Sequence, residues 1–168
     1  SLGFDASPEK IVRIARDLQE KGYHVVDQKL PASLIQELHK YALQTPSDIR
    51  ARDNESGEFR KSYEIYVPGK PQSVRYDYRP EDLLKNPAVI KILSDGFFRE
   101  VARKYLGCEP IVDIVTMWWH TDFQKEPDSN AAQFFHFDMD RIKWLKVFFY
   151  LTDVGTHQGP HCFVEGSH

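Results

Sequence analysis

Apolar residues recur at Ile11, Ile14, Ala15 and Leu18, the three-and-four spacing that lines one face of a helix. Ser7-Pro8 marks its start, with a hydroxyl able to cap and a proline suited to the first helical position, and Gly22 marks its end. Tyr23 to Val26 is a short strand-type run. Pro31 to Tyr41 predicts a second helix, with Leu34, Ile35, Leu38 and Ala42 on one side. Thr45 to Glu58 is polar and aperiodic and is expected to be loop. Lys61 to Val67 and Ser73 to Tyr78 alternate polar and aromatic residues around Pro68-Gly69-Lys70-Pro71, which predicts a hairpin. Pro80 to Leu84 reads as a helical turn. Pro87 to Leu93 and Phe97 to Leu106 read as helices, the second closed by Gly107.

The pattern changes after Gly107. Ile111 to His120, Phe134 to Met139, Trp144 to Thr152 and His161 to Val164 are four strand-type runs separated by turn-rich segments. Helices followed by strands predict an α+β fold, with residues 1–107 as a helical buttress and 108–168 as the strands it supports. Gly107 is then a boundary between layers of one domain.

The 168 residues suffice for one domain of ordinary size. With 41% apolar and 28% charged residues the chain can fill a core, which excludes wholesale disorder. A net charge of -3 lacks the basic footprint of a nucleic-acid binder. The longest apolar stretch, Ile111 to Trp119, is interrupted by Asp113 and falls far short of the ~20 residues of a membrane span. Cys108 and Cys162 make no disulfide framework, and reduced thiols in a cytoplasmic protein are the expectation. A start at Ser1 and a turn signature at Glu165 to His168 predict a piece of a longer protein.

Candidate chemistry lies in the strand half. On a strand, side chains at i and i+2 share a face, so His136 and Asp138 would project together while Phe135, Phe137 and Met139 face the core. An imidazole beside a carboxylate supplies two ligands of a 2-His-1-carboxylate site, which keeps coordination positions open on Fe(II). The pair alone is not specific, since His120-Thr121-Asp122 has the same spacing. No His-Glu-x-x-His pair supports a zinc hydrolase.

The context is more specific. Ala132-Gln133 precedes the His-x-Asp, a run ending Tyr150-Leu151-Thr152-Asp153 follows, and then come Gly159-Pro160 and Gly166-Ser167-His168. In this order the last quarter of the chain resembles the phytanoyl-CoA dioxygenase-like branch of the Fe(II)/2-oxoglutarate-dependent oxygenases. Gly22-Tyr23 leading into Leu30-Pro31 and a helix adds a weaker likeness. Glu165 stands where the family pattern has Pro. The resemblance implies a double-stranded β-helix, or jelly roll, incomplete at its C-terminal side. It implies His136 and Asp138 as iron ligands, with a further His and the 2-oxoglutarate-binding Arg beyond His168. His120 and Asp122 fall outside the motif.

The implied activity is hydroxylation of a small-molecule or lipid-like substrate by dioxygen, with decarboxylation of 2-oxoglutarate to succinate. Lys146, Phe148 and Tyr150 would share the face opposite Val147, Phe149 and Leu151. On an inner face Lys146 would meet the 2-oxoglutarate carboxylate; on an outer face it is a solvated charge. Gln133 either orients a ligand or caps a strand. Phe134, Phe148, Tyr150 and the Trp118-Trp119 pair are either pocket walls or core. His161 is expected at a strand start and His168 in a structural turn. The segment from Arg60 to Arg79 is either a lid for an anionic substrate or a solvated hairpin whose charges Glu58, Glu64, Asp77, Glu81 and Asp82 offset. The reading from another class is a cupin-like jelly-roll domain that binds or scaffolds without catalysis.

Overall fold

The computed structural model describes residues 1–52, 59–124, 126, 133–138 and 141–167, and of residues 51, 52, 59 and 60 the backbone. Ala132, Met139, His168 and the tract 53–58 therefore lie outside the described residues. The elements run α1 (Pro8–Lys21), α2 (Ala32–Gln44), β1 (Ser47–Arg52), β2 (Phe59–Glu64), β3 (Arg75–Asp77), α3 (Pro80–Leu83), α4 (Pro87–Leu93), α5 (Gly96–Leu106) and β4 (Trp118–His120). This is a mixed α+β arrangement of helices with one antiparallel four-stranded sheet, ordered β2-β1-β3-β4. No described helix is long and apolar enough to cross a membrane. The chain divides into two compact units: residues 1–35, 87–113 and 138–168, and residues 36–86 and 114–137.

The first unit is organised by α1 and α5. Ile11, Ile14 and Leu18 of α1 bury against Phe97 and Val101 of α5, each at helical spacing, and Phe4, Val26, Phe98, Tyr105 and Leu145 pack around them. Gly22 closes α1 in the left-handed region, and its amide donates to the Leu18 carbonyl at 3.2 Å. The cap of α1 differs from expectation. The Ser7 hydroxyl makes no cap bond, and the Ser7 amide instead donates to Asp5 Oδ1 at 2.9 Å, which turns the chain into the helix. The buried cap belongs to Asp95, whose Oδ1 accepts the Phe97 amide at 3.1 Å and whose Oδ2 accepts the Leu2 amide at 2.6 Å.

Two carbonyls at helix C-termini hold the last part of the chain. A helix leaves its final carbonyls without internal partners. The Gly166 amide donates to the Lys21 carbonyl of α1 at 2.9 Å, and Lys143 Nζ donates to the Tyr105 carbonyl of α5 at 2.7 Å. Rings add to this, with Phe163 on Tyr23 at 5.5 Å and Phe149 on Phe98 at 5.2 Å between centroids.

In the second unit β1 is an inner strand, paired with β2 from Ser47↔Glu64 to Arg52↔Phe59 and with β3 at Asp48↔Asp77 and Ile49↔Tyr76. The expected loop at 45–58 is thus a strand over Ser47–Arg52. Its alternation is real but written in small residues, since Ser47 and Ile49 are buried while Asp48 and Arg50 are exposed. The expected hairpin of 61–67 with 73–78 is also corrected. Those segments flank β1 on opposite sides, so each finds its ladder partner in β1.

Under the sheet, Tyr78 ties α2 to β4. Its hydroxyl donates to the Ala42 carbonyl and accepts from Trp119 Nε1 at 2.8 Å. The Ala42 carbonyl needs that donor because the residue four positions on is Pro46, which has no amide proton.

The four expected late strands are reduced to one. Of the described residues in those runs, only Trp118–His120 joins a ladder, and Tyr23 to Val26 forms no strand either. Phe135 and Phe137, expected in the core, are 75% and 67% exposed, and Val147 is exposed as well. An alternating pattern becomes a strand only where a neighbouring strand accepts its backbone groups. Within the described residues these runs have no such neighbour.

Candidate functional site

His136 belongs to the second unit and Asp138 to the first, so each has its own surroundings. The exposed His136 ring places Nδ1 2.8 Å from the Phe134 carbonyl. A carbonyl only accepts, so Nδ1 donates its proton to it. Contact of one ring nitrogen with a backbone carbonyl is also common where the other nitrogen binds a metal. Gln133 and Phe134 beside it are exposed.

Asp138, at the edge of the first unit, accepts a charge-assisted hydrogen bond from Lys146 Nζ through Oδ2. The ammonium also lies 4.4 Å from the centroid of the Trp144 ring. Phe148 and Tyr150 converge on His161. The Phe148 and His161 rings are 4.3 Å apart, the Tyr150 hydroxyl accepts the His161 amide at 2.7 Å, and it lies 3.2 Å from His161 Nδ1. Neither grouping emerged from spacing alone. The one signal was the i, i+2 set Trp144, Lys146, Phe148 and Tyr150 on an alternating run.

Other candidates belong to the second unit. His120 and Asp122 are exposed at and just past the end of β4. Trp119 packs within the second unit against Tyr66 at 5.1 Å and His39 at 6.0 Å, and Trp118 lies under the Arg75 guanidinium at 4.6 Å. Two arginines of the basic stretch are paired with carboxylates. Arg75 pairs with Asp77 at 2.6 Å, and Arg79 makes a two-pronged contact with Asp48 at 2.8 and 3.0 Å while stacking on Tyr63. The Arg79 bond holds the Asp48 carboxyl below the usual carboxylate range. Burial pushes the Tyr78 phenol up, so it keeps its proton and stays a donor.

Among the described residues no three His, Cys, Asp or Glu side chains converge as a complete metal cluster. Compared with protein-family models, curated proteins and solved structures, the chain matches none. The functional reading therefore rests on the motif residues and their chemistry.

Proposed function

We propose that this chain carries two ligands of a mononuclear iron site in an Fe(II)/2-oxoglutarate-dependent oxygenase, within a double-stranded β-helix. The observation that carries the reading is the hydrogen bond from His136 Nδ1 to the Phe134 carbonyl, which supports Nε2 as the ligating atom. Asp138, two residues on, supplies the carboxylate. Fe(II), when bound, supplies the oxidising chemistry: 2-oxoglutarate, dioxygen and a substrate C–H group are converted to succinate, carbon dioxide and an alcohol. The chain's own residues bind and orient. His136 and Asp138 hold the metal, Lys146 brings positive charge beside Asp138, and Gln133 and Phe148 are the remaining contacts assigned to the 2-oxo acid.

The test is succinate release from 2-oxoglutarate by the full-length protein, compared with its His136→Ala variant. Loss of a first ligand is expected to lower turnover at least ~100-fold. Equal release from both proteins refutes the reading. A non-catalytic binding or scaffold domain is favoured by a different observation, that Asp138 already has a cation in Lys146. It predicts no succinate from either protein.

A further inference from the structure

We infer that Lys146 is a built-in counter-cation for Asp138, so that a divalent metal competes with the ammonium for the carboxylate. The inference rests on the metal-site reading above and adds a positioning residue to it. Three observations carry it. Lys146 Nζ bonds Oδ2 of Asp138 directly, one of the two oxygens a metal could take. The Asp138 and Lys146 side chains are 33% and 42% exposed, so the pair is accessible to an ion from solvent rather than sealed in the core. In the same position the ammonium lies 4.4 Å from the Trp144 ring, which gives it a second attraction besides the carboxylate. That ring is set on a fixed support, because the adjacent Leu145 packs against the core of α1 and α5.

The exchange follows from the charges. An ammonium and a divalent ion compete for one carboxylate and repel each other across it. Lysine suits the role because its point charge sits on a flexible stem and can leave without breaking a planar fork. The aromatic face retains the displaced cation close by, since a ring attracts a cation whether or not the carboxylate is occupied. Lys146 therefore orients Asp138 before loading, and it weakens metal affinity by competing for the carboxylate.

The experiment measures Mn(II) affinity of the full-length protein from the loss of the free aqueous Mn(II) paramagnetic resonance signal. Lys146→Met is expected to tighten Mn(II) binding about fivefold, the equivalent of removing one partly exposed ion pair from the competition. Lys146→Arg retains the charge on a fork that is harder to break, and is expected to weaken Mn(II) binding relative to the wild type. A merely structural role for Lys146 predicts the opposite sign, since damage to the fold loosens binding. Unchanged or weaker binding by Lys146→Met, alongside a wild type that binds through Asp138, overturns the inference and leaves the metal-site reading standing. A wild type that binds no Mn(II), or an Asp138→Ala variant that binds as tightly as the wild type, overturns the metal-site reading and this inference with it.

Discussion

Replacing Tyr78 with Phe removes one oxygen and leaves two polar groups without their observed partners. The ring is 3% exposed, so the packing volume is kept and the loss is one of hydrogen bonding. The Ala42 residue is fully buried, and Pro46 denies its carbonyl the next helical amide, so that group bears most of the penalty. Trp119 Nε1 belongs to a half-buried residue that water can reach, so its share is smaller. At about 1–3 kcal/mol per orphaned buried group, the sum is about 2–4 kcal/mol. For a chain of this length that lowers Tm by roughly 5–15 °C. Urea unfolding followed by tryptophan fluorescence measures it, because Trp119 is one of the partners. Pro46→Ala in the Tyr78→Phe background restores an amide where α2 would continue. The preceding Thr45 amide already donates to the Tyr41 carbonyl at 2.9 Å. That double variant should recover about 1 kcal/mol. A Tyr78→Phe loss below about 0.5 kcal/mol with an unchanged denaturant slope refutes the reasoning.

Asp95→Ala should cost about 2–4 kcal/mol in chemical denaturation, because the Leu2 and Phe97 amides lose a common carboxylate. Asp95→Asn keeps one acceptor oxygen and should lose about half as much. Acid should destabilise the protein through Asp48, whose folded carboxyl is held low by Arg79. For a depressed carboxylate the stabilisation is complete above the ordinary carboxylate value and is lost as pH falls through the folded value. Melting curves from neutral pH down should therefore fall less steeply for Asp48→Asn than for the wild type, and parallel curves would remove the pair from the account. Asp17, held low by its hydrogen bond to His24, follows the same sign.

The helices were legible because their signals are local. α1, α4 and α5 carry apolar periodicity with Pro8, Pro87, Gly22 and Gly107 near their ends, and the described helices follow those marks closely. β1 was not legible, since burial falls on Ser47 and Ile49 and only one of them is apolar. Strand order was not legible either. A Pro-Gly turn at 68–69 favours pairing of sequence neighbours, whereas β2 and β3 lie on either side of β1. The late runs show the limit of alternation as a signal, because Phe135 and Phe137 have the right period and no described strand beside them. At the site, spacing brought out His136 and Asp138. The cation on Asp138 comes from eight positions away, a separation to which neither a strand nor a turn rule points.

The bond between the Gly166 amide and the Lys21 carbonyl is made entirely of main-chain atoms. Only a change at Gly166 itself bears on it directly, since proline would remove the amide and other residues rarely adopt its φ of 72°. Lys146, Phe148 and His161 thus lie on a stretch moored at its far end by a bond that contains none of their side-chain atoms. Side chains along that stretch are open to revision, one at a time, while the mooring holds.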